Sequence, residues 1–109
     1  MEDLTREQKD ILKSMHHEVD IRQPVLTMEE ANYFKDSDEV KELLSLEQSS
    51  DYVADLCWKL ESKGYINCSR GDDLANDITL TDKTITYMEN RVKNGAKKVI
   101  DVVSKLKPF

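Results

Sequence analysis

Long apolar runs are missing from this chain. No stretch approaches the roughly 18 apolar residues that a membrane-spanning helix needs, so no membrane association is expected. The opening residues MEDLTREQKD lack the basic-then-apolar order of a secretory signal, which predicts a cytoplasmic protein. Glycine (3) and proline (2) are scarce, and that argues for a compact helical chain rather than an all-β or disordered one. The two cysteines, Cys57 and Cys68, lack the clustered spacing of a zinc site and read as buried free thiols. His16 and His17 are adjacent, about 100° apart on a helix; they cannot form an i, i+4 metal pair and read as solvated. No phosphate-binding loop, glycine-rich dinucleotide turn or nucleophile elbow occurs. Asp36, Asp38, Glu39 and Glu42 read as a solvated face rather than an acid/base or metal site. The expectation is a non-enzyme with no cofactor and no catalytic or metal-binding residue.

What the chain does have is charge, unevenly placed. Its 109 residues suit one domain with a modest core. The net charge is −6, but residues 1–55 hold 6 Lys and Arg against 15 Asp and Glu, whereas residues 56–109 hold 10 against 7. Acid sits in the front half. Base gathers at the end, where residues 91–109 hold six Lys and Arg against Asp101 alone.

Helix signals follow in order. Thr5 and Gln8 form a capping-box pair, and Ile11, Leu12, Met15 and Val19 recur at helical spacing, predicting a helix over 6–19. TMEEANYF offers a second box in Thr27 and Glu30, for a short helix or turn. SDEVKELLSL, with Ser37 as cap and Val40, Leu43 and Leu44 as a stripe, predicts another short helix near 38–46. Ser49 or Ser50 caps the best-marked helix, which buries Val53, Leu56, Cys57 and Leu60 and stops at Gly64. YINCS and DITLT then read as strands joined by RGDDLAN, a loop too long for a two-residue hairpin. Thr81 caps a further helix, along which Ile85, Met88, Val92, Val99, Val102 and Leu106 form a heptad-like seam with Gly95 as a hole and a kink.

The segments DLCWKLESKGYI and ITLTDKTITYMEN resemble the end of a recognition helix, the first wing strand and the LTxxGxxYL entry to the next helix in winged helix-turn-helix regulators of the MarR and PadR type. The small YjcQ-like winged-helix proteins of bacteria and their prophages are the most similar, with Thr84 standing where those families carry Gly. The resemblance implies a mainly α fold with a small β-hairpin: a winged-helix domain over 1–90 and a basic helical extension over 91–109 that dimerises or docks.

For function, the resemblance implies DNA binding and transcription regulation. The residue chemistry leaves a second reading open, an acidic protein-interaction module or DNA mimic. Projected at 100° per residue, Asp51, Asp55, Trp58, Lys59 and Ser62 face outward on the helix that follows the Ser49 or Ser50 cap. Two aspartates and a tryptophan suit neither base edges nor phosphates. Arg70 in the wing, Lys59, and tail residues Lys93, Lys97 and Lys98 are the candidate nucleic-acid contacts. Trp58, Asp51, Asp55, Val99, Val102 and Leu106 are the candidate partner contacts, the last three through a homodimer.

Overall fold

The computed structural model describes residues 3–91. Within them α1 (Arg6–Arg22) starts where Thr5 Oγ1 accepts from the Gln8 N–H at 3.1 Å and Gln8 Oε1 accepts from the Thr5 N–H at 3.0 Å. It runs past the expected end at 19. Arg22 holds the added turn, donating to the carbonyls of Ala31 (3.0 Å) and Tyr33 (2.7 Å) while its guanidinium lies 4.8 Å from the Phe34 ring centroid. The single turn α2 (Met28–Ala31) carries the second capping box, Thr27 with Glu30.

A strand absent from the sequence reading follows: β1 (Phe34–Asp36), antiparallel to a later strand through Phe34↔Ile78 and Asp36↔Asn76. Three residues are too few to display alternation. Next comes α3 (Ser37–Leu43), capped by Asp36, whose carboxylate accepts from the Glu39 N–H at 2.8 Å. Ser37, the expected cap, is instead fully buried and accepts from the Ala75 N–H at 3.2 Å, stitching this helix to the sheet. The helix is shorter than the expected 38–46, and Ser45 turns left-handed (φ 52°) just beyond it. That breaks the stripe: Val40 is buried, Leu44 half-buried, and Leu43, expected in the core, is 40% exposed.

Helix α4 (Ser50–Ser62) is capped by Ser49 and buries Val53, Leu56, Cys57 and Leu60 as its spacing predicts. Gly64 stops it with φ 84°. Its N–H donates to Glu61 O at 2.9 Å and the Tyr65 N–H to Leu60 O at 3.0 Å, the paired bonds of a Schellman ending that needs a left-handed residue.

The hairpin corrects the expected long loop. β2 (Ile66–Gly71) and β3 (Leu74–Leu80) pair antiparallel down to Gly71↔Leu74, so only Asp72 and Asp73 connect them. Both have positive φ, 52° and 60°, the requirement of a primed two-residue turn. Asn-Gly or Asp-Gly announces such a turn in sequence; Asp-Asp, less favoured but able to adopt the left-handed region, does not. The β2–β3 register shifts between Asn67 and Ser69, opposite Asp77 with φ 51° on β3. Sheet order is β1-β3-β2. The Asn32 side chain extends the ladder by accepting from Leu80 N–H at 2.8 Å and donating to Leu80 O at 3.0 Å.

A fifth helix, α5, covers 82–91 of the described residues. Thr81 precedes it, but its hydroxyl donates back to Gly64 O at 2.9 Å. The Thr84 hydroxyl, wholly buried, donates to Tyr65 O at 2.7 Å. These bonds seat α5 against the α4–β2 turn, where Lys83 also lies 4.0 Å from the Tyr65 ring centroid. Among the described residues the fold is thus mixed: five helices and a three-stranded antiparallel sheet, rather than helices with a hairpin alone.

Leu12, Met15, Val19, Phe34, Val40, Val53, Leu60, Ile66 and Ile78 meet in the core. His16 joins them at 5% exposure, correcting the solvated reading. Adjacency to His17 excludes a metal pair, but position 16 lies one turn from Leu12 and three residues from Val19, on the buried stripe. His17 is exposed. No helix among the described residues is long and apolar enough to cross a membrane. The expected seam of Val92, Val99, Val102 and Leu106, the kink at Gly95 and the extension from residue 92 onward lie outside the described residues.

Candidate partner-binding face

The outward side of α4 and the adjoining hairpin form one face. The inner residues of α4 fill the core, which leaves Asp51 and Lys59 exposed and Asp55 partly exposed on the opposite side. Lys59 Nζ pairs with Asp55 Oδ2 at 3.0 Å, one helical turn apart. Exposed pairs of this kind contribute about 0.2–1 kcal/mol, so this one orients the lysine without locking it.

Trp58 stands where helix meets hairpin. Partly buried, it packs against the core, and the Arg70 guanidinium from β2 lies 4.5 Å from its ring centroid. The indole Nε1 is buried and has no hydrogen-bond partner among the described residues. Cys68, half-buried on the same strand, packs against the core too; burial raises its thiol pKa, Glu61 adds to the rise and Arg70 opposes it. Cys57, on the inner side of α4, is pushed up to about 12 by burial and then by Cys68. Both thiols are unpaired.

Arg70 therefore does not form the hairpin tip. The tip is Asp72 and Asp73, both exposed. The face as a whole carries Asp51, Asp55, Glu61, Asp72 and Asp73 against Lys59 and Arg70, and each of those two cations already touches a neighbour. Of the sequence-derived candidates, Asp51, Asp55, Trp58, Lys59 and Arg70 share this face. Lys93, Lys97, Lys98, Val99, Val102 and Leu106 lie outside the described residues.

The Trp58–Arg70 stack was not legible in sequence, because it depends on how the hairpin leans against α4. Nor was a second junction, in which Glu7 of α1 accepts from the Tyr52 hydroxyl at 2.6 Å and from Gln48 Nε2 at 3.0 Å. That junction borders a cleft of about 450 Å3 between α1 and the α3–α4 connection, floored by Ile11 and Leu46 and rimmed by Arg6, Glu7 and Asp10. Among the described residues no three His, Cys, Asp or Glu side chains are grouped to hold a metal ion. No protein-family model, curated protein or solved structure matches this chain.

Proposed function

We propose that the chain is a winged helix-turn-helix protein whose α4–hairpin face binds a basic segment of another protein rather than duplex DNA. The element order supports the first part: a helix pair, α3 and α4, is followed directly by the hairpin β2–β3, and the short strand β1 completes the sheet beside it. The acid on that face carries the second part. Duplex DNA presents one negative charge per about 1.7 Å of axis, and its binding requires cations aimed at phosphates. Here the helix that would enter a groove offers Asp51 and Asp55, and the tip that would flank it offers Asp72 and Asp73.

A partner with lysine or arginine beside an apolar side chain matches this face, the charges steering its approach and Trp58 offering an aromatic anchor. An acidic face of this kind also fits a nucleic-acid groove on another protein, the DNA-mimic form of the same reading. A DNA-binding reading is favoured by the element order and by the basic tail. It routes phosphate contacts through Arg70, Lys93, Lys97 and Lys98.

Anisotropy titrations of the full chain against labelled oligo-lysine and labelled random-sequence duplex DNA test both readings. Peptide binding that weakens with added salt, without duplex binding, is expected. Duplex binding that weakens with salt, without peptide binding, would overturn the proposal and install the DNA reading.

A further inference from the structure

Resting on the α4–hairpin face as a site for basic protein segments, we propose that residues 92–109 of the same chain occupy that face and compete with its outside ligand. The charge division is sharp. Residues 3–91 hold 11 Lys and Arg against 20 Asp and Glu, a balance of −9, while residues 92–109 hold five Lys against Asp101 alone, a balance of +4.

Composition matches as well as sign. The face carries Asp51 and Asp55 on α4 and Asp72 and Asp73 at the hairpin tip, together with half-buried Trp58 and Cys68. In the tail, Lys97 and Lys98 on one side and Lys105 and Lys107 on the other enclose Val99, Ile100, Val102 and Val103. A lysine-flanked apolar run complements an acidic face that also offers an aromatic ring. Length is sufficient, since 18 residues span up to about 60 Å when extended, whereas the 13 residues of α4 rise about 20 Å.

Tethering makes weak contacts count. A segment joined to its target by the chain itself meets it at an effective concentration that reaches the millimolar range. A face covered nine-tenths of the time binds an outside ligand with an apparent Kd about tenfold weaker than the open face. The tail thereby sets a threshold: a ligand must out-compete a sequence of its own chemical kind.

The experiment keeps the full chain and replaces Lys97, Lys98, Lys105 and Lys107 together by Ser. Amide chemical shifts of the wild type and the variant are compared at low and high salt, and both proteins are titrated with oligo-lysine. Expected are shift differences confined to α4 and the hairpin, including Asp51, Asp55, Arg70, Asp72 and Asp73, that vanish at high salt and do not depend on protein concentration. Oligo-lysine is expected to bind the variant about tenfold more tightly. Shift differences absent or centred elsewhere, such as on exposed Ile21 and Val25, or equal peptide affinities, would overturn the proposal. Concentration-dependent differences would overturn it too, by assigning the tail to a second copy. If neither protein binds oligo-lysine, the protein-binding reading falls, while the shift map alone decides where the tail sits.

Discussion

The guanidinium of Arg70 lies 4.5 Å from the centre of the Trp58 ring, so the hairpin is fastened to α4 by a cation resting on an aromatic face. A contact of this type at an exposed site contributes about 0.5–1 kcal/mol. Arg70→Ala should lower stability in urea by about that amount, and the emission of Trp58, the only tryptophan, should move toward that of solvated indole. Unchanged stability together with unchanged emission would mean that the two side chains do not stack in solution.

Removing acid from α4 should weaken the binding of basic ligands. Each of Asp51→Asn and Asp55→Asn deletes one exposed attraction, typically about 0.2–1 kcal/mol, so oligo-lysine affinity should fall by roughly twofold to thirtyfold in the double variant at low salt and by little at high salt. Folding stability should fall by no more than about 1 kcal/mol for each substitution, since Asp55→Asn releases the Lys59 pair and Asp51→Asn removes an acid from the first turn of α4. A gain of duplex DNA binding in the double variant would point to a groove-facing α4.

Thr84 is wholly buried at the start of α5, and its hydroxyl closes a bond to Tyr65 O. Thr84→Val keeps the volume and loses the bond, at a cost of about 0.5–1.5 kcal/mol. Thr84→Gly also removes buried side-chain volume and adds the helix penalty of glycine, about 1 kcal/mol, so chemical denaturation should rank wild type above Val above Gly. Gly equal to wild type would show that this site has no need of the hydroxyl.

The thiols should react in sequence. Burial pushes Cys57 up to about 12 and leaves it without a path to reagent, while Cys68 is also raised but is only half-buried. At neutral pH a thiol reagent should modify Cys68 slowly and Cys57 only as the chain unfolds, as mass spectrometry of partly labelled protein would show. Early modification of Cys57 would place it nearer the surface.

The Tyr65 hydroxyl donates to Asp3 Oδ1 at 2.6 Å, and this bond, followed by burial and the Asp3 charge, lifts Tyr65 to about 12. The same bond lowers the Asp3 carboxyl below its usual 3.8. A raised tyrosine binds its proton more tightly when folded, so its contribution is full below pH 10 and is lost as pH climbs toward 12. The lowered carboxyl contributes above pH 3.8, and its share is lost as pH falls below that value. Tyr65→Phe should therefore reduce the dependence of Tm on pH at both extremes. Equal curves for the two proteins would mean that the bond is not maintained in solution.

Local chemistry made much of this fold readable. Thr5 with Gln8, Thr27 with Glu30, Ser49 and Gly64 each satisfy backbone groups within a few residues, so their effects are visible in a short window of sequence. Other features depend on residues far apart. Strand β1 exists because Phe34 finds Ile78, and Ser37 leaves its expected cap because Ala75 presents an N–H to it. The tight turn at Asp72 and Asp73 leaves little mark in the sequence, because aspartate only tolerates a geometry that glycine favours. At the candidate face the acid was legible from periodicity, whereas the partnering of Trp58 with Arg70 required the lean of the hairpin.

Asn32 shows how this sheet is closed to growth on one side. By filling both the N–H and the C=O of Leu80, its side chain finishes the border of β3 that the three residues of β1 begin. The outer margin there is no longer than β1 itself, a template too brief for another extended chain to follow. β2 has six residues and lies at the other margin. A strand recruited from outside would therefore have to add beside β2, the strand that carries Arg70.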